Sequence, residues 1–209
     1  MRVLVACEYS GVVREAFRRA GHEAWSCDLL PTDTPGGPHI QGDVLRVLRE
    51  GWDLMVAHPP CTYLTNAAAW AFGDGPYHQR VKPETLVGAA RRQAREEAVR
   101  FVRALADAPI PRIAIENPVG ILSRVWRRPD QTIQPWQFGH NASKATCLWL
   151  KGLPPLEPTD VLPGGRSARR GNQTASGQNN LSPGPERWKI RAQTYQGIAD
   201  AMAAQWGSL

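Results

Sequence analysis

Short apolar runs alternate with helical patterns over residues 2–150, and this alternation limits the possible folds more than any other feature of the chain. A helical pattern over 12–20 separates the first two runs, and Gly21 follows it at the position where glycine ends helices in the left-handed conformation. Strands that alternate with helices are typical of βαβ units. We therefore predict an α/β fold with a mostly parallel central sheet flanked by helices. The expected strands of this part lie at residues 2–6, 23–27, 53–57 and 112–114.

Further along, the pattern predicts a long helix that begins near Pro83 and runs to about Asp107. Proline suits a first helical turn because its missing N–H needs no partner there. Apolar positions at steps of three and four residues, from Val87 to Leu105, would pack on the sheet, whereas arginines such as Arg91 would lie on the surface. Three shorter elements are also expected, namely a helix at 44–50, a strand at 145–150 and a final helix at 194–206.

The composition is that of an ordinary globular protein with a basic charge. At 209 residues the chain fits a single domain over 1–209, with 42% hydrophobic and 21% charged residues. The formal charge of +6 points to a polyanionic partner such as DNA, although many proteins without such a partner are as basic. Residues 152–187 are rich in Pro, Gly, Ser and Asn and lack periodicity, which is typical of a functional or disordered segment.

Cysteine usage and the first residues indicate a cytoplasmic protein. The four cysteines form no CxxC pair, and no histidine lies near them at zinc-ligand spacing, so we expect reduced thiols and no metal site. The apolar stretch at residues 1–6 is too short for a signal peptide or a membrane span. We expect no membrane association, and no sequence feature indicates an obligate protein partner.

A candidate ligand-binding turn follows the first expected strand. Glu8, Tyr9, Ser10 and Gly11 open directly into a helix, as the glycine-rich turn of nucleotide-binding folds does. The segment lacks the GxGxxG pattern, so an ordinary strand-to-helix turn is the alternative.

Two aspartates strengthen the interpretation of that turn as a binding site. Asp28 follows the second expected strand, where an acidic residue in such folds accepts hydrogen bonds from ribose hydroxyls. Asp43 precedes the next expected helix and would either contact an adenine amino group or cap the helix. Together with the turn, the two acids describe an adenosine-type pocket.

A thiol stands just beyond the third expected strand. Pro59 and Pro60 prevent that strand from continuing and fix the backbone before Cys61. A thiol on such a rigid turn can act as a nucleophile if nearby positive charge or a helix dipole lowers its pKa. His58 is a candidate for that charge, or else a packing residue. The other three cysteines lie in or beside expected strands and are expected to be inert.

A carboxyl group stands at the end of the next strand. Glu116 follows an apolar run, where desolvation would raise its pKa toward that of a useful acid, and Asn117 would hold the loop. A structural pairing with a basic residue is the alternative for Glu116. Ligands bind beyond the carboxyl ends of the strands in open α/β sheets, so Cys61 and Glu116 are expected to share one pocket.

Taken in order, these segments resemble the DNA cytosine-5 methyltransferases, which use S-adenosylmethionine on a Rossmann-like fold. The resemblance covers about residues 2–150, and residues 194–199 are similar in place to the segment that closes the cofactor pocket of that family. The matching segments are the turn at 8–11, the cofactor acids Asp28 and Asp43, the catalytic motif Pro59-Pro60-Cys61 and the pair Glu116-Asn117.

The resemblance implies a cofactor and a mechanism. Cys61 would add to cytosine C6 while Glu116 binds and protonates N3, and C5 would take the methyl group before loss of the C5 proton releases Cys61. The base must leave the duplex stack for this chemistry. The residues expected to bind S-adenosylmethionine are Glu8, Tyr9, Ser10, Gly11, Asp28, Asp43 and Pro59.

The sequence departs from the family around its catalytic residues. Thr62 replaces the usual Gln after the catalytic motif, and His58 replaces a small or apolar residue before it. The usual Arg-x-Arg of the late strand is Lys144-Ala145-Thr146. Lys144 would still contact the base or its phosphate, although without a bidentate fork, and Thr146 would not.

The largest departure is size. Only residues 152–187 stand where the family has a separate target-recognition domain, so selectivity for DNA sequence is expected to be low or short. Arg166, Arg169 and Arg170 of this segment form a mobile basic loop suited to phosphates. With Asn117 and Lys144 they are the expected substrate-binding residues. Such compact forms resemble those encoded by phages and mobile elements.

Two other functions fit the same segments. The site would transfer another group to cytosine C5, such as carboxymethyl from a modified sulfonium donor, with His58 or a nearby basic residue as the cationic partner of that group. A non-catalytic DNA-binding module that retains the nucleotide-binding shell is less favoured, because binding alone needs neither Cys61 nor Glu116. An enzyme that acts on RNA or on free nucleotides is disfavoured by the basic loop.

Overall fold

A computed structural model describes residues 1–78, 80–182, 184 and 186–209 of the protein. This part of the chain forms a seven-stranded sheet with helices on both faces. The strands are β1 (Arg2–Ala6), β2 (Glu23–Asp28), β3 (His39–Gln41), β4 (Leu54–Ala57), β5 (Arg112–Pro118), β6 (Gln131–Ile133) and β7 (Thr146–Lys151). The helices are α1 (Val12–Arg19), α2 (Gly88–Ala106), α3 (Leu122–Val125), α4 (Arg187–Ala192) and α5 (Gln196–Trp206).

The strand order in the sheet is β3-β2-β1-β4-β5-β7-β6. Strands β1 to β5 run parallel, whereas β7 lies antiparallel between β5 and β6. The order of the five parallel strands, with the reversal between β1 and β4, is that of a doubly wound Rossmann-like fold. The predicted α/β class and the mostly parallel central sheet are therefore confirmed.

The pairings between three neighbouring strands end at one level. Ala6 of β1 pairs with Ala57 of β4, and Ala57 pairs with Ile115 of β5. The chain leaves the sheet after Ala6 and Ala57, whereas β5 continues to Pro118. Side chains that follow the three positions are therefore brought to the same place at the carboxyl edge of the sheet.

Apolar layers on both faces hold this sheet rigid. On one face Phe17 of α1 and Met202 and Trp206 of α5 are fully buried against the strands. On the other face Leu105 of α2 is fully buried and Trp149 is nearly so. A site built at the ends of packed strands is held more precisely than a site built on free loops.

Helix α2 begins later than the sequence predicts. Pro83 and Glu84 form a turn rather than the first helical turn, and Glu84 adopts a left-handed φ of 65°. The helix starts at Gly88, whose own φ of 56° is one that glycine adopts without steric cost. The proline therefore marks a turn, and a glycine marks the start of the helix.

Arg91 of α2 is buried, so its expected surface position is wrong. Its guanidinium lies 5.2 Å from the ring centre of Tyr63 and 4.7 Å from that of Phe72. It also donates to the carbonyl oxygen of Leu86 at 3.2 Å. Aromatic rings from the loop after β4 take up the cation here, and helical periodicity does not reveal that loop.

The other differences concern short elements. Strands β3 and β6 have three residues each and were not expected, because such short segments form only where a neighbouring strand offers hydrogen bonds. The expected helix at 44–50 is a single 3-10 turn, Val44–Arg46. Apart from residues 183 and 185, which lie outside the described residues, segment 152–187 is irregular but for a 3-10 turn, Gly165–Ser167, and Arg187, which begins α4. Its role within one domain stays a prediction.

Candidate active site

Three residues with titratable side chains follow the level at which these strand pairings end. Cys7 follows β1, His58 follows β4, and Glu116 lies in β5 just past the paired positions. Residues at one register of neighbouring parallel strands lie side by side. The carboxyl edge of such a sheet is where open α/β folds bind ligands, so these residues mark the candidate site.

Glu116 and His58 are in direct contact. The Nδ1 atom of His58 lies 2.7 Å from Oε2 of Glu116, and each side chain is only 11% exposed. Thr146, whose hydroxyl donates to the carbonyl oxygen of Lys144 at 3.1 Å, and the ammonium group of Lys144 both lie near enough to act on the carboxylate. Among the described residues, the buried Nε2 atom of His58 has no hydrogen-bond partner. The site thus contains a carboxylate and imidazole pair with one ring nitrogen still available.

These contacts change the acidity of Glu116. Burial raises its pKa, but the hydrogen bond from His58 and the charge of Lys144 outweigh burial, and the net effect is a lowered pKa. The expectation of a raised pKa is wrong because it considered desolvation without these partners. Glu116 is therefore a carboxylate in the free protein at neutral pH.

Asn117 holds the turn that presents Cys61. Its side-chain Nδ2 donates to the carbonyl oxygen of Pro59 at 2.8 Å, and Asn117 is almost fully buried. On the other side of the turn, the backbone N–H groups of Leu64 and Thr65 donate to the carbonyl oxygen of Cys61. Asn117 thus holds the turn after β4, its role in substrate binding stays a prediction, and Cys61 is an exposed residue on a fixed turn.

The Cys61 thiol is not activated in the free protein. Desolvation of the sulfur and the negative charge of Glu116 raise the pKa of Cys61, and the charges of Lys144 and Arg191 offset only part of this effect. The condition that the sequence analysis set for an active nucleophile, a lowered pKa, is therefore not met in the free protein. The same contributions show that Cys61, Glu116 and Lys144 lie close enough to influence one another.

The other thiols are set apart from this chemistry. Burial raises the pKa of Cys27 to about 11. Burial also raises the pKa of Cys7 and of Cys147. A thiol that stays protonated is a poor nucleophile, in agreement with the expectation that these three cysteines are inert.

The turn at 8–11 is built around the carboxylate of Glu8. Its two oxygens accept hydrogen bonds from the backbone N–H groups of Val13 at 2.7 Å and Arg14 at 3.2 Å, and Ser10 donates to Oε1 at 3.3 Å. Glu8 is buried, and Gly11 adopts a left-handed φ of 76°. Glu8 therefore satisfies the N-terminus of α1 itself, at the place where nucleotide-binding folds hold a ligand's phosphate. Direct contact of Glu8 with a cofactor stays a prediction.

Asp28 and Asp43 stand farther along the same edge. Oδ1 of Asp28 accepts from the backbone N–H of Leu30 at 2.9 Å, so the other carboxylate oxygen remains an acceptor for a ligand. Asp43 caps the 3-10 turn through the N–H of Leu45 at 3.0 Å, which confirms the capping alternative, and its adenine contact stays a prediction. Leu29, 73% exposed, offers apolar surface beside Asp28. Carboxylate oxygens that can accept from ribose hydroxyls, next to exposed apolar surface that can pack on a base, fit an adenosine group.

Two small adjoining cavities occupy the site, and the segment between α4 and α5 walls both of them. Thr194 of this segment lines each cavity. The ammonium group of Lys144 donates to the carbonyl oxygen of Gln193 at 3.2 Å. The hydroxyl of Tyr9 donates to the carbonyl oxygen of Lys189, in α4, at 3.3 Å. One cavity is lined by Glu116, Lys144, Thr146, Thr194, Tyr195 and Ile198, and the other by Cys7, Glu8, Tyr9, Ser10, His58, Ala192, Gln193 and Thr194.

The basic residues of segment 152–187 divide into two kinds. Arg166 and Arg169 are exposed, as a phosphate contact requires. Arg170 is buried, donates to the carbonyl oxygen of Gly165 at 2.7 Å and lies 5.1 Å from the ring centre of Trp136. Its expected place in a mobile loop is wrong, because its guanidinium ties the segment to the rest of the protein.

Sequence reasoning missed three contributors to the site. His58 was considered as an isolated charge, whereas its partner is Glu116. Thr146 was dismissed as a base contact, yet it lies near enough to Glu116 to lower the pKa of that carboxyl, and Arg191 lowers the pKa of Cys61. The spacing of His58 and Glu116 from the ends of their apolar runs is the one signal in the sequence that indicates their pairing.

Metal-binding clusters and membrane-spanning helices are both absent from the described residues. No group of three or more His, Cys, Asp and Glu side chains there is arranged to hold a metal ion. None of the helices formed by those residues has both the length and the apolar character needed to cross a bilayer.

Comparison with known proteins finds likeness only among solved structures. No family model matches the chain, and no curated protein matches it. A putative DNA modification methyltransferase encoded within a prophage of E. coli is 14% identical, over 78% of this chain and 52% of its own, with a TM-score of 0.47. A mutant of Spodoptera frugiperda DNMT2 is 12% identical, over 87% of this chain and 60% of its own, with a TM-score of 0.45. The protein thus spans between half and two thirds of the length of these two chains.

Proposed function

We propose that this protein transfers a methyl group from S-adenosylmethionine to C5 of cytosine in DNA through a covalent adduct of Cys61. The observation that carries the proposal is the hydrogen bond of 2.8 Å by which Asn117, the neighbour of the buried Glu116 in β5, fixes Pro59 and so the turn of the exposed Cys61. A nucleophile and a proton-bearing group that face one bound ring are what addition to cytosine C6 requires. The resemblance of the ordered segments to cytosine-5 methyltransferases supports the same conclusion.

The donor would lie along the ends of β1 and β2. Asp28 would accept hydrogen bonds from ribose hydroxyls, Leu29 would pack on the adenine, and Asp43 would face its amino group. The backbone of Tyr9 and Ser10 would pass close to the rest of the molecule, in the cavity that these residues line. When bound there, S-adenosylmethionine supplies a methyl group on a sulfonium centre.

Cys61 and Glu116 would act on the cytosine ring together. The Cys61 sulfur forms a bond to C6, and Glu116 places a proton on N3 so that the electron pair of the C5=C6 bond is available at C5. Lys144, which lines the cavity of Glu116, would hold the base or its phosphate. Asn117 keeps Pro59 and hence the thiol in place.

The electrostatics of the free protein give this mechanism an order. The carboxylate charge of Glu116 raises the pKa of Cys61, so the thiol is protected while no base is bound. A proton on Glu116 removes that charge, so the pKa of Cys61 falls. Burial of the sulfur still raises this pKa, and the charges of Lys144 and Arg191 lower it. Proton uptake by Glu116 from solvent, coupled to binding of the base, would therefore favour the Cys61 thiolate.

The exposed basic residues would bind DNA phosphates. Arg166 and Arg169 of segment 152–187 project from the surface, and the chain has a formal charge of +6. Because this segment stands in place of a target-recognition domain, we propose that the chain resembles a compact phage-type enzyme with short or weak sequence selectivity.

The test is mass spectrometry of nucleosides from duplex DNA incubated with the protein and S-adenosylmethionine. We expect 5-methylcytosine with the wild type and with Thr62→Ala, a matched change of the exposed neighbour, and none with Cys61→Ala. Unmodified cytosine from wild-type protein that binds the donor would overturn the proposal. Equal product from Cys61→Ala would overturn the covalent step. Parallel reactions with RNA and with free nucleotides show whether DNA is the preferred substrate.

A further inference from the structure

His58 and Glu116 form a pair that is typical of a base held by a carboxylate. The carboxylate accepts from Nδ1 at 2.7 Å, which places the ring proton on Nδ1 and leaves the lone pair of a neutral imidazole on Nε2. That Nε2 atom is buried and has no partner among the described residues. A buried acceptor without a donor costs free energy, so its retention indicates that a ligand supplies the missing proton.

The position of the ring identifies which proton this is. Glu116 lines one cavity with Lys144, whereas His58 lines the adjoining cavity with the turn that begins at Cys7. Under the proposed function the first cavity holds the base and the second holds the donor. His58 then stands at the boundary where the methyl group passes to C5.

We propose that His58 is the catalytic base that removes the proton from cytosine C5 after methyl transfer. The inference rests on the proposed function and assigns a step that Cys61 and Glu116 leave open. The C5–H bond breaks, its electron pair forms the C5=C6 double bond, and the C6–S bond breaks with its pair returning to the Cys61 sulfur. The proton passes to Nε2 of His58 and from there to solvent.

Glu116 is suited to support this step. Once it has given a proton to N3 it is a carboxylate again, still in contact with Nδ1 of His58. A carboxylate at Nδ1 stabilises the imidazolium that forms when Nε2 takes a proton. The acid of the first half of the reaction therefore supports the base of the second half.

A dependence on pH follows from the two roles. Removal of the C5 proton needs an unprotonated base and protonation of N3 needs a protonated acid, so the two steps depend on pH in opposite directions. The apparent pKa values belong to the whole cluster. The other titratable or charged groups around the pair are Lys144, Cys61, Tyr195, Cys7, Glu8 and Tyr9.

The experiment uses duplex DNA with tritium at cytosine C5 and S-adenosylmethionine with a labelled methyl group. The main variant is His58→Asn, whose amide nitrogen can replace the Nδ1 donor to Glu116 but offers no base. We expect it to incorporate methyl groups up to one per protein, to release tritium about 100-fold more slowly than wild type, and to accumulate a DNA adduct that survives denaturing electrophoresis. It should also lose the acidic limb of the pH profile.

Controls separate the possible failures. His58→Gln replaces the asparagine variant if that variant does not fold, as judged by circular dichroism. His22→Gln is the matched control and should behave as wild type, because His22 lies beyond the C-terminal end of α1 and contacts Phe17. Methyl incorporation and tritium release that fall equally, with no trapped adduct, would show that His58 only positions Glu116 and would overturn the inference. Unchanged kinetics would also overturn it. Absence of methyl transfer by the wild type would instead overturn the proposed function, and the inference with it.

Discussion

Glu8→Ala is expected to lower the free energy of unfolding by about 2–4 kcal/mol, because Glu8 holds the first turn of α1. Its carboxylate accepts from the backbone N–H groups of Val13 and Arg14 in a buried position. Each buried N–H left without an acceptor costs about 1–3 kcal/mol, and the lost negative charge at a helix N-terminus adds about 0.3–1 kcal/mol. Together these costs give about 2–7 kcal/mol. Water that enters the vacated space hydrogen bonds to the two N–H groups, so we expect the lower part of this range, about 2–4 kcal/mol.

The measurement is urea denaturation followed by circular dichroism, with equal m-values as the condition for comparing midpoints. Glu8→Gln keeps an acceptor but loses the charge, so it should cost about 1 kcal/mol. Glu23→Ala is the matched control, since its ion pair with Arg2 is exposed and should contribute less than about 1 kcal/mol.

The result that would refute this reasoning is a Glu8→Ala protein as stable as the Glu23→Ala control. If such a protein had also lost affinity for S-adenosylmethionine, the carboxylate would be a direct cofactor contact and the hydrogen bonds to α1 would be of minor weight. A destabilised variant that still binds the donor supports the structural role.

Three further predictions concern charged residues. Glu116→Gln removes the negative charge that raises the pKa of Cys61, so iodoacetamide should alkylate Cys61 several-fold faster than in the wild type near neutral pH, as measured by mass spectrometry. Arg166→Ala and Arg169→Ala should weaken DNA binding and each reduce the salt slope by about one in anisotropy titrations. Arg170→Ala should instead lower stability by about 1–3 kcal/mol in thermal melts, because the buried guanidinium donates to a backbone carbonyl. Equal alkylation rates, or an Arg170 variant that is stable but deficient in DNA binding, would contradict these expectations.

The strands and helices that the sequence predicts well are those with strong local signals. Strand β1 lies at the expected residues, α1 ends before Gly21 as predicted, and β4 stops before the proline pair. An apolar run of the right length, a glycine at a helix end and a proline that cannot continue a strand act through the nearest residues alone. Such signals are readable from one sequence.

The features that were missed depend on partners distant in the sequence. His58 meets Glu116 across 58 positions, and their contact reverses the direction of the pKa shift expected for Glu116. Arg91 and Arg170 are buried because aromatic rings from other loops receive their guanidinium groups. Composition assigns arginines to the surface, and only the fold shows where an aromatic partner exists.

The common level at which the pairings of β1, β4 and β5 end imposes a rule on how this site can vary. His58 meets Glu116 because Ala57 pairs with Ile115, so deletion or insertion of one residue within β4 would turn every following side chain to the opposite face of the sheet. Substitutions at the site leave this registration intact, whereas a change in strand length does not. New variants of this protein are therefore to be sought by exchanging side chains or lengthening loops, with the three strands kept at their present length.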